Sequence, residues 1–312
     1  MASNGVVARR STSRLDELAR VDAQLYPALF EDMSDLVDTL RENVGAEGLA
    51  LTDLPRIPMP AGGSTTWEIP DALGGKAKAT AELDFLLAYW SAARLWWPVN
   101  PDEPNKISGD PPECSSADGQ VPLPGGAFAP DGSRAGQNPG GSCVTCPMSK
   151  FGSSEKPGSG RGQACSDRRL MFILGEGDIL PMLISTPPTS KRALKDFHLG
   201  LVRQYPGIHY SAFQIRYALE KVSANGNNYA VVKPTLLGVL DGARPRSQGG
   251  PEEGSPAWAA YQYHLQFAKL LDASTLVAAA AAAQQQTPDA DTDEMPEGLG
   301  GEFADHDAAT AP

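Results

Sequence analysis

Between residues 13 and 44 apolar side chains recur at intervals of three and four, with Leu15, Leu18, Val21, Leu25, Leu29, Leu36 and Leu40 on one stripe. That period belongs to amphipathic helix. Pro27 interrupts it, because a proline inside a helix removes a hydrogen bond and clashes with the preceding turn. The pattern predicts two short helices in an N-terminal appendage (residues 1–50), which either packs on the core or offers a surface for self-association or a partner. From residue 54 to 70 prolines alternate with Ile57 and Met59 before Gly62-Gly63, which reads as extended chain and a turn leading to a short strand at 65–69. Residues 80–97 carry both periods: Leu83, Phe85 and Leu87 alternate, whereas the alanines that follow suit a helix. Richness in aromatics and a closing proline favour a strand.

Past residue 165 the pattern becomes regular. It predicts a strand at 169–174, a turn at 175–178, a strand at 179–185, and a helix at about 190–204 behind Pro187-Pro188 with Ser190 as N-cap. Two long strands follow at 208–223 and 228–240, joined by Asn225-Gly226-Asn227. On the first of them Phe213, Ile215, Tyr217 and Leu219 share the inward face, and Tyr210, Gln214 and Arg216 share the other. Five or six strands and one helix suit a small Greek-key barrel of the oligonucleotide-binding type. The expected fold is therefore mainly β with flanking helices (α+β), with an OB-like core over 51–246. A Gly/Pro linker at 247–255, a helix at 256–284 and a tail at 285–312 too poor in apolar residues to fold complete the chain.

Charge changes the picture. A net charge of −12 argues against a polyanionic partner, but it is unevenly spread. The tail holds Asp289, Asp291, Asp293, Glu294, Glu297, Glu302, Asp305 and Asp307 with no lysine or arginine, whereas residues 143–246 hold fourteen basic side chains against seven acidic ones. The chain reads as a basic body with a detachable acidic tail. That tail is either a solubilising terminus or, with Phe303 as apolar anchor, a segment that occupies a DNA groove and is released to partner proteins when DNA enters. No apolar run reaches the roughly 18 residues of a spanning helix and no signal-peptide pattern opens the chain, so a cytoplasmic protein without a membrane partner is expected.

Residues 98–165 are mostly Gly, Pro, Ser and polar, and they hold all four cysteines. Something must order a loop of that length in a compact domain. Two residues between Cys143 and Cys146 let both sulfurs turn toward one ion, and Cys114 and Cys165 could complete a closed tetrahedral site. A structural zinc ion is the expected cofactor, in a loop subdomain at 98–168. A redox Cys-x-x-Cys or unrelated buried thiols are the alternatives.

The basic segment is interleaved with aromatic residues, as single-strand binding by phosphate tracking and base stacking requires, although most such rings serve in cores. Candidates for contact with single-stranded DNA are Trp90, Arg94, Trp96, Trp97, Lys150, Arg161, Arg168, Arg169, Lys191, Arg192, Lys195, Tyr210, Arg216 and Lys233. The histidines have no metalloprotease or nuclease spacing, and neither a nucleophile elbow nor a phosphate-cradling Gly-Lys-Ser/Thr loop occurs. No enzyme activity is expected. A zinc-ordered interaction scaffold or transcriptional adaptor working through the N-terminal helices is the alternative function, and a nuclease a remote one.

Several motifs carry a resemblance: Leu54-Pro55-Arg56-Ile57, Gly62-Gly63 with Trp67, Cys114-Ser115-Ser116-x-Asp118-Gly119, Gly140-Gly141-x-Cys143-x-x-Cys146-Pro147, Phe151-Gly152-Ser153, Gly160-x-Gly162-x-x-Cys165, Leu180-Pro181 and Pro187-Pro188-Thr189-Ser190. Over roughly 54–240 the chain resembles a group of phage and mobile-element proteins taken to bind single-stranded DNA. Its organisation is also similar to the helix-destabilising protein family of T-even phages, where an oligonucleotide-binding fold carries a zinc subdomain and an acidic C-terminal tail follows. That family uses three cysteines and a histidine where this chain offers four cysteines. The resemblance implies a non-catalytic coat for single-stranded DNA in phage replication or recombination, within the bacterial host cytoplasm.

Overall fold

The computed structural model describes residues 14–31, 33–44, 53–71, 74–97, 112–123, 142–154, 162–224 and 227–271. The predicted tail with its carboxylates and Phe303, residues 272–284 of the predicted last helix, Arg161 and the Asn225-Gly226 turn lie outside them.

Leucine and aromatic residues on both sides of Glu82–Trp96 (β5) make it the central strand, and the alternatives of helix and strand are settled by its neighbours. Residues 82–86 pair antiparallel with Phe213–Ala224 (β9), and residues 86–96 pair antiparallel with Cys165–Leu174 (β7). A register shift between Leu87 and Tyr89 marks the change of partner. β9 pairs in turn with Asn227–Val239 (β10), and β7 with Met182–Thr186 (β8). Two-residue strands complete the row, Ala19–Arg20 (β1) beside β10 and Arg56–Ile57 (β2) beside β8, both parallel. The result is an open eight-stranded mixed sheet in the order β1-β10-β9-β5-β7-β8-β2, with Cys114–Ser116 (β6) also on β5. Trp67–Ile69 (β3) and Lys78–Thr80 (β4) form a separate two-stranded ribbon. The mainly β, α+β expectation holds. The expected barrel does not appear as a closed one, because the strand path has two ends.

The helices are Met33–Val44 (α1), Pro188–Gln204 (α2) and Pro256–Leu270 (α3). In α2 the predicted N-cap is displaced: Pro187 takes that position and Pro188 opens the helix, as proline's fixed φ permits. Ser190 is instead fully buried, and its Oγ accepts the Val232 amide of β10 at 3.1 Å. α3 is capped by Ser255 Oγ, which accepts the Trp258 amide. It turns Ala257, Ala260, Tyr263 and Phe267 inward, Phe267 meeting Phe172 of β7 at a ring separation of 5.3 Å. Residues 247–255 therefore join α3 to the body on which it packs, and they do not separate two bodies.

The core sits where β5 crosses β9. Tyr217 is wholly buried, meets Phe85 edge-on at 4.7 Å, accepts the Trp67 indole N–H at its carbonyl and donates its hydroxyl to Met171 Sδ. Phe213, Ile215, Tyr217 and Leu219 face inward as predicted. Tyr210, however, belongs to a short 3-10 turn before β9 and not to the strand face with Gln214 and Arg216.

The N-terminal expectation needs the larger correction. Among the described residues α1 is the one helix of more than a turn there, with helical backbone also at 14–16. Residues 14–31 are built into the core: Leu15, Val21, Tyr26, Ala28 and Leu29 are buried, Val21 donates to the Val239 carbonyl, and Tyr26 Oη accepts the Gln214 amide at 2.7 Å. β1 approaches β10 at Gly238, where a Cβ would stand 2.6 Å from the Ala19 carbonyl oxygen. A Gly238→Ala substitution should push this strand off the sheet and cost about 1–3 kcal/mol. Urea denaturation should then show a lower midpoint at unchanged slope; an unchanged midpoint would mean that residues 14–31 add little to the core.

Candidate metal centre and nucleic-acid interface

Strand pairing assembles the four cysteines. Trp96 near the end of β5 lies opposite Cys165 of β7 on one side and Cys114 of β6 on the other, so two residues distant in sequence flank one indole. The turn at 142–146 brings in the other two. Its Cys143 amide donates to the Gln120 carbonyl, and the Cys146 carbonyl accepts both the amide and the hydroxyl of Ser149. Asp118 organises the opposing loop by accepting Ser116 Oγ and the amides of Gln120 and Val121 at 2.7–2.9 Å, which holds its carboxyl below the usual range. Those bonds explain the Cys-Ser-Ser-x-Asp-Gly motif. Gly119 at φ +73° has only 3.1 Å between a notional Cβ and Ala92, so a side chain there would be both strained and crowded.

Cys114, Cys143, Cys146 and Cys165 line one cavity of about 10 Å³, the size of a single atom or water, together with Trp96 and Arg94. All four are free thiols and three are buried. Burial pushes Cys114 up to about 11 and raises Cys143 and Cys165, while the Arg94 guanidinium pulls the last two back. Among the described residues no three His, Cys, Asp or Glu side chains stand as a ready-made metal site. The cysteines share a cavity without forming such a ready-made group. Each Cys has a single side-chain torsion, so a change of rotamer re-aims a sulfur without moving the backbone that gathers it. Arg94 adds a second feature: its Nη2 donates to Asp167 at 3.0 Å, while its Nε and Nη1 are buried beside the thiols with no hydrogen-bond partner. Two orphan cationic donors fit thiolates better than thiols.

The predicted DNA-contact residues divide into groups. Trp90, Arg169, Lys195 and Tyr210 meet in one cleft of about 520 Å³ between α2 and the sheet. Arg169 of β7 stacks its guanidinium on the Trp90 ring at 4.4 Å. The Tyr210 hydroxyl lies 3.1 Å from His264 Nδ1, which donates to the Ala88 carbonyl. Arg94 and Trp96 belong to the thiol cavity, and Lys191 shares Asp167 with Arg94. Lys150 bonds the Val144 carbonyl on the cysteine turn, and Arg192 pairs along α2 with Asp196. Arg216 is held by Asp84 and Glu82, and Lys233 by Glu220, at the far end of the sheet. Trp97 packs partly buried against the core. Arg168 is a correction: it is 1 % exposed with Nε on Ser166 Oγ, because strand alternation turns it to the face opposite Arg169.

Sequence reasoning missed Arg246, His198, His209 and the apolar pair Leu199 and Val202, all of which line the cleft. Arg246 follows the last strand in a Gly/Pro stretch that has no periodic signal, and its amide is tied to the Gly207 carbonyl. Among the described residues no carboxylate lines the cleft. Among the described residues no helix is long and apolar enough to cross a membrane.

The chain matches no family model, no curated protein and no solved structure. Its site has to be read from its own residues.

Three histidines near the cleft are held neutral. Burial lowers His198 to about 4 and His209 to about 3, with Arg169 and His264 respectively adding to the effect, and burial also lowers His264. Each folded value lies below the ordinary 6.5, so the unfolded chain binds more protons below that pH. Their contribution is intact above 6.5 and is lost as pH falls toward 4. Denaturant titrations should show stability dropping by on the order of 1 kcal/mol per pH unit for each of His198 and His209, and by less for the more solvent-screened His264. His209→Gln should flatten the slope.

Proposed function

We propose that this chain binds single-stranded DNA without catalysis and that a structural zinc ion on Cys114, Cys143, Cys146 and Cys165 orders the subdomain beside the binding face. The observation that carries the proposal is the cleft itself. Trp90, Arg169, Lys195 and Tyr210 come from four separate elements and meet with Arg246 in a lining that holds no carboxylate among the described residues. Bases stack on guanidinium planes as well as on rings, so the Trp90–Arg169 pair supplies a platform and a charge together.

Connectivity supports the same reading. Taken in chain order, the five long strands β5, β7, β8, β9 and β10 lie side by side as fifth, fourth, first, second, third, with α2 between the third and fourth. That is the order of an OB-like Greek-key barrel opened between its third and fifth strands. Here Ser190 of α2 reaches the β10 amide at that seam. In such folds the oligonucleotide lies on the second and third strands between the loops that follow the first and fourth. Cys114, Cys143 and Cys146 sit in the first of those loops, and Cys165 opens the strand that follows it. The resemblance to phage proteins assigns the activity to replication or recombination, with partner proteins recruited by the acidic tail. The scaffold alternative has less support, since Leu15, Val21, Tyr26, Ala28 and Leu29 are buried in the core and only Leu25 and Phe30 of the large apolar residues described in 14–31 stay exposed.

For zinc the donor set fits: four soft ligands, an atom-sized cavity, and an arginine to offset the charge of a tetrathiolate. Zinc would supply cross-linking of the turn at 142–146 to β6 and β7, not reactivity. Metal analysis should find about one zinc per chain, and Cys146→Ser should lose it and expose the Gly-rich loop to protease. A metal-free native protein with an equally resistant loop would sink the zinc assignment.

For DNA, oligo(dT) should quench tryptophan fluorescence at low salt. Affinity should fall with salt at a slope near −2 in logarithmic terms for about three phosphate contacts, and Trp90→Ala should weaken binding by roughly 1–3 kcal/mol. Absence of quenching at low salt, with no binding by anisotropy, would overturn the reading.

A further inference from the structure

The charge gathered in the cleft exceeds what an interior stretch of strand requires. Arg169, Lys195 and Arg246 come from β7, α2 and the turn Arg246–Gln248, and all three line a space of about 520 Å³. That volume suits one small ligand, of the size of a nucleotide, and not a run of them. A nucleotide within a strand brings one phosphodiester charge, whereas a phosphate monoester near neutral pH carries about −1.5 to −2. Neighbouring cations are neutralised from within: Arg94 and Lys191 share Asp167. Arg169 is treated differently. Its Nε is buried with no partner, and its guanidinium is pinned on Trp90. A pinned guanidinium with one unsatisfied donor, lining a cleft that has no carboxylate among its described lining residues, favours an anion there.

The remaining lining matches the rest of a nucleotide. Leu199 and Val202, one turn apart on α2, are 43 % and 61 % exposed and line the cleft, where the apolar face of a ligand can lie against them. The base edge or sugar of a bound nucleotide is of that size.

Building on the reading of the chain as a single-strand binder, we infer that the cleft is an end site, which takes a terminal nucleotide bearing a phosphate monoester: Arg169, Lys195 and Arg246 hold the phosphate, and Trp90, Leu199 and Val202 hold the nucleoside. The internal strand then runs outward over the sheet from this anchored end.

Competition anisotropy on the full chain tests this with ten-residue oligo(dT) carrying a 5′-phosphate, a 3′-phosphate or hydroxyls at both ends, and with free thymidine 5′-monophosphate and inorganic phosphate as separate competitors. One phosphorylated oligonucleotide should bind about tenfold more tightly than the unphosphorylated one, and the mononucleotide should compete where inorganic phosphate at equal concentration does not. Arg169→Gln and, independently, Arg246→Gln should bring the ratio of phosphorylated to unphosphorylated affinity to about 1. Equal affinity for all three oligonucleotides, or a preference that survives both substitutions, overturns the end site and leaves single-strand binding standing. Binding of the mononucleotide alone, with no oligonucleotide bound, supports the cleft and removes the strand-binding reading. Competition by inorganic phosphate as strong as by the mononucleotide refutes the nucleoside part of the site.

Discussion

The backbone ladder along Glu82–Trp96 is the constraint on which the rest of the molecule depends. A strand has two hydrogen-bonding edges, and this one divides them lengthwise: residues 82–86 hold β9, and residues 86–96 hold β7, with β6 on the last three. The register shift at Leu87/Tyr89 makes the change of partner possible, since an extra residue bends the strand and alters its twist. Before it the strand faces Tyr217 and the core. After it Trp90, Arg94 and Trp96 share a face. Cleft and thiol cavity are therefore two stations on one strand, six residues or roughly 20 Å apart along it.

Much of this was legible in the residues. Alternation located β5, β7, β9 and β10 to within a few residues, and the hairpin signal linked the last two correctly. What escaped was whatever depends on partners distant in the chain. Residues 14–31 have a helical period, yet a glycine at 238 admits Ala19 as a strand, and tertiary burial of Tyr26 and Leu29 outweighs a weak helical preference. Ser190 looked like a cap because its sequence neighbours suit one. Its hydroxyl went to an amide 42 positions away, a pairing that no local rule contains.

The candidate site divides in the same way. Cysteine spacing alone pointed to a shared cavity, because the short Cys-x-x-Cys turn is a local feature and the two remaining thiols had few other roles. The cationic residues carried no such signature. Arg168 and Arg169 are adjacent and identical in type, and only the alternation of a strand, whose phase cannot be read at a pair of arginines, sends one into the interior and the other to the cleft. Arg246 lay in a stretch with no period at all.

Asp167 of β7 lies opposite Arg94, and it holds Arg94 on one side and Lys191 on the other. Two of the cations on this face are thus withheld from solvent, and the field that reaches an approaching polyanion is concentrated where no acid stands. A single side chain in effect sets the contrast between a focused attraction and a diffuse one. Altering that one position would free both cations and spread the positive potential along this face, with the strands that carry them left in place.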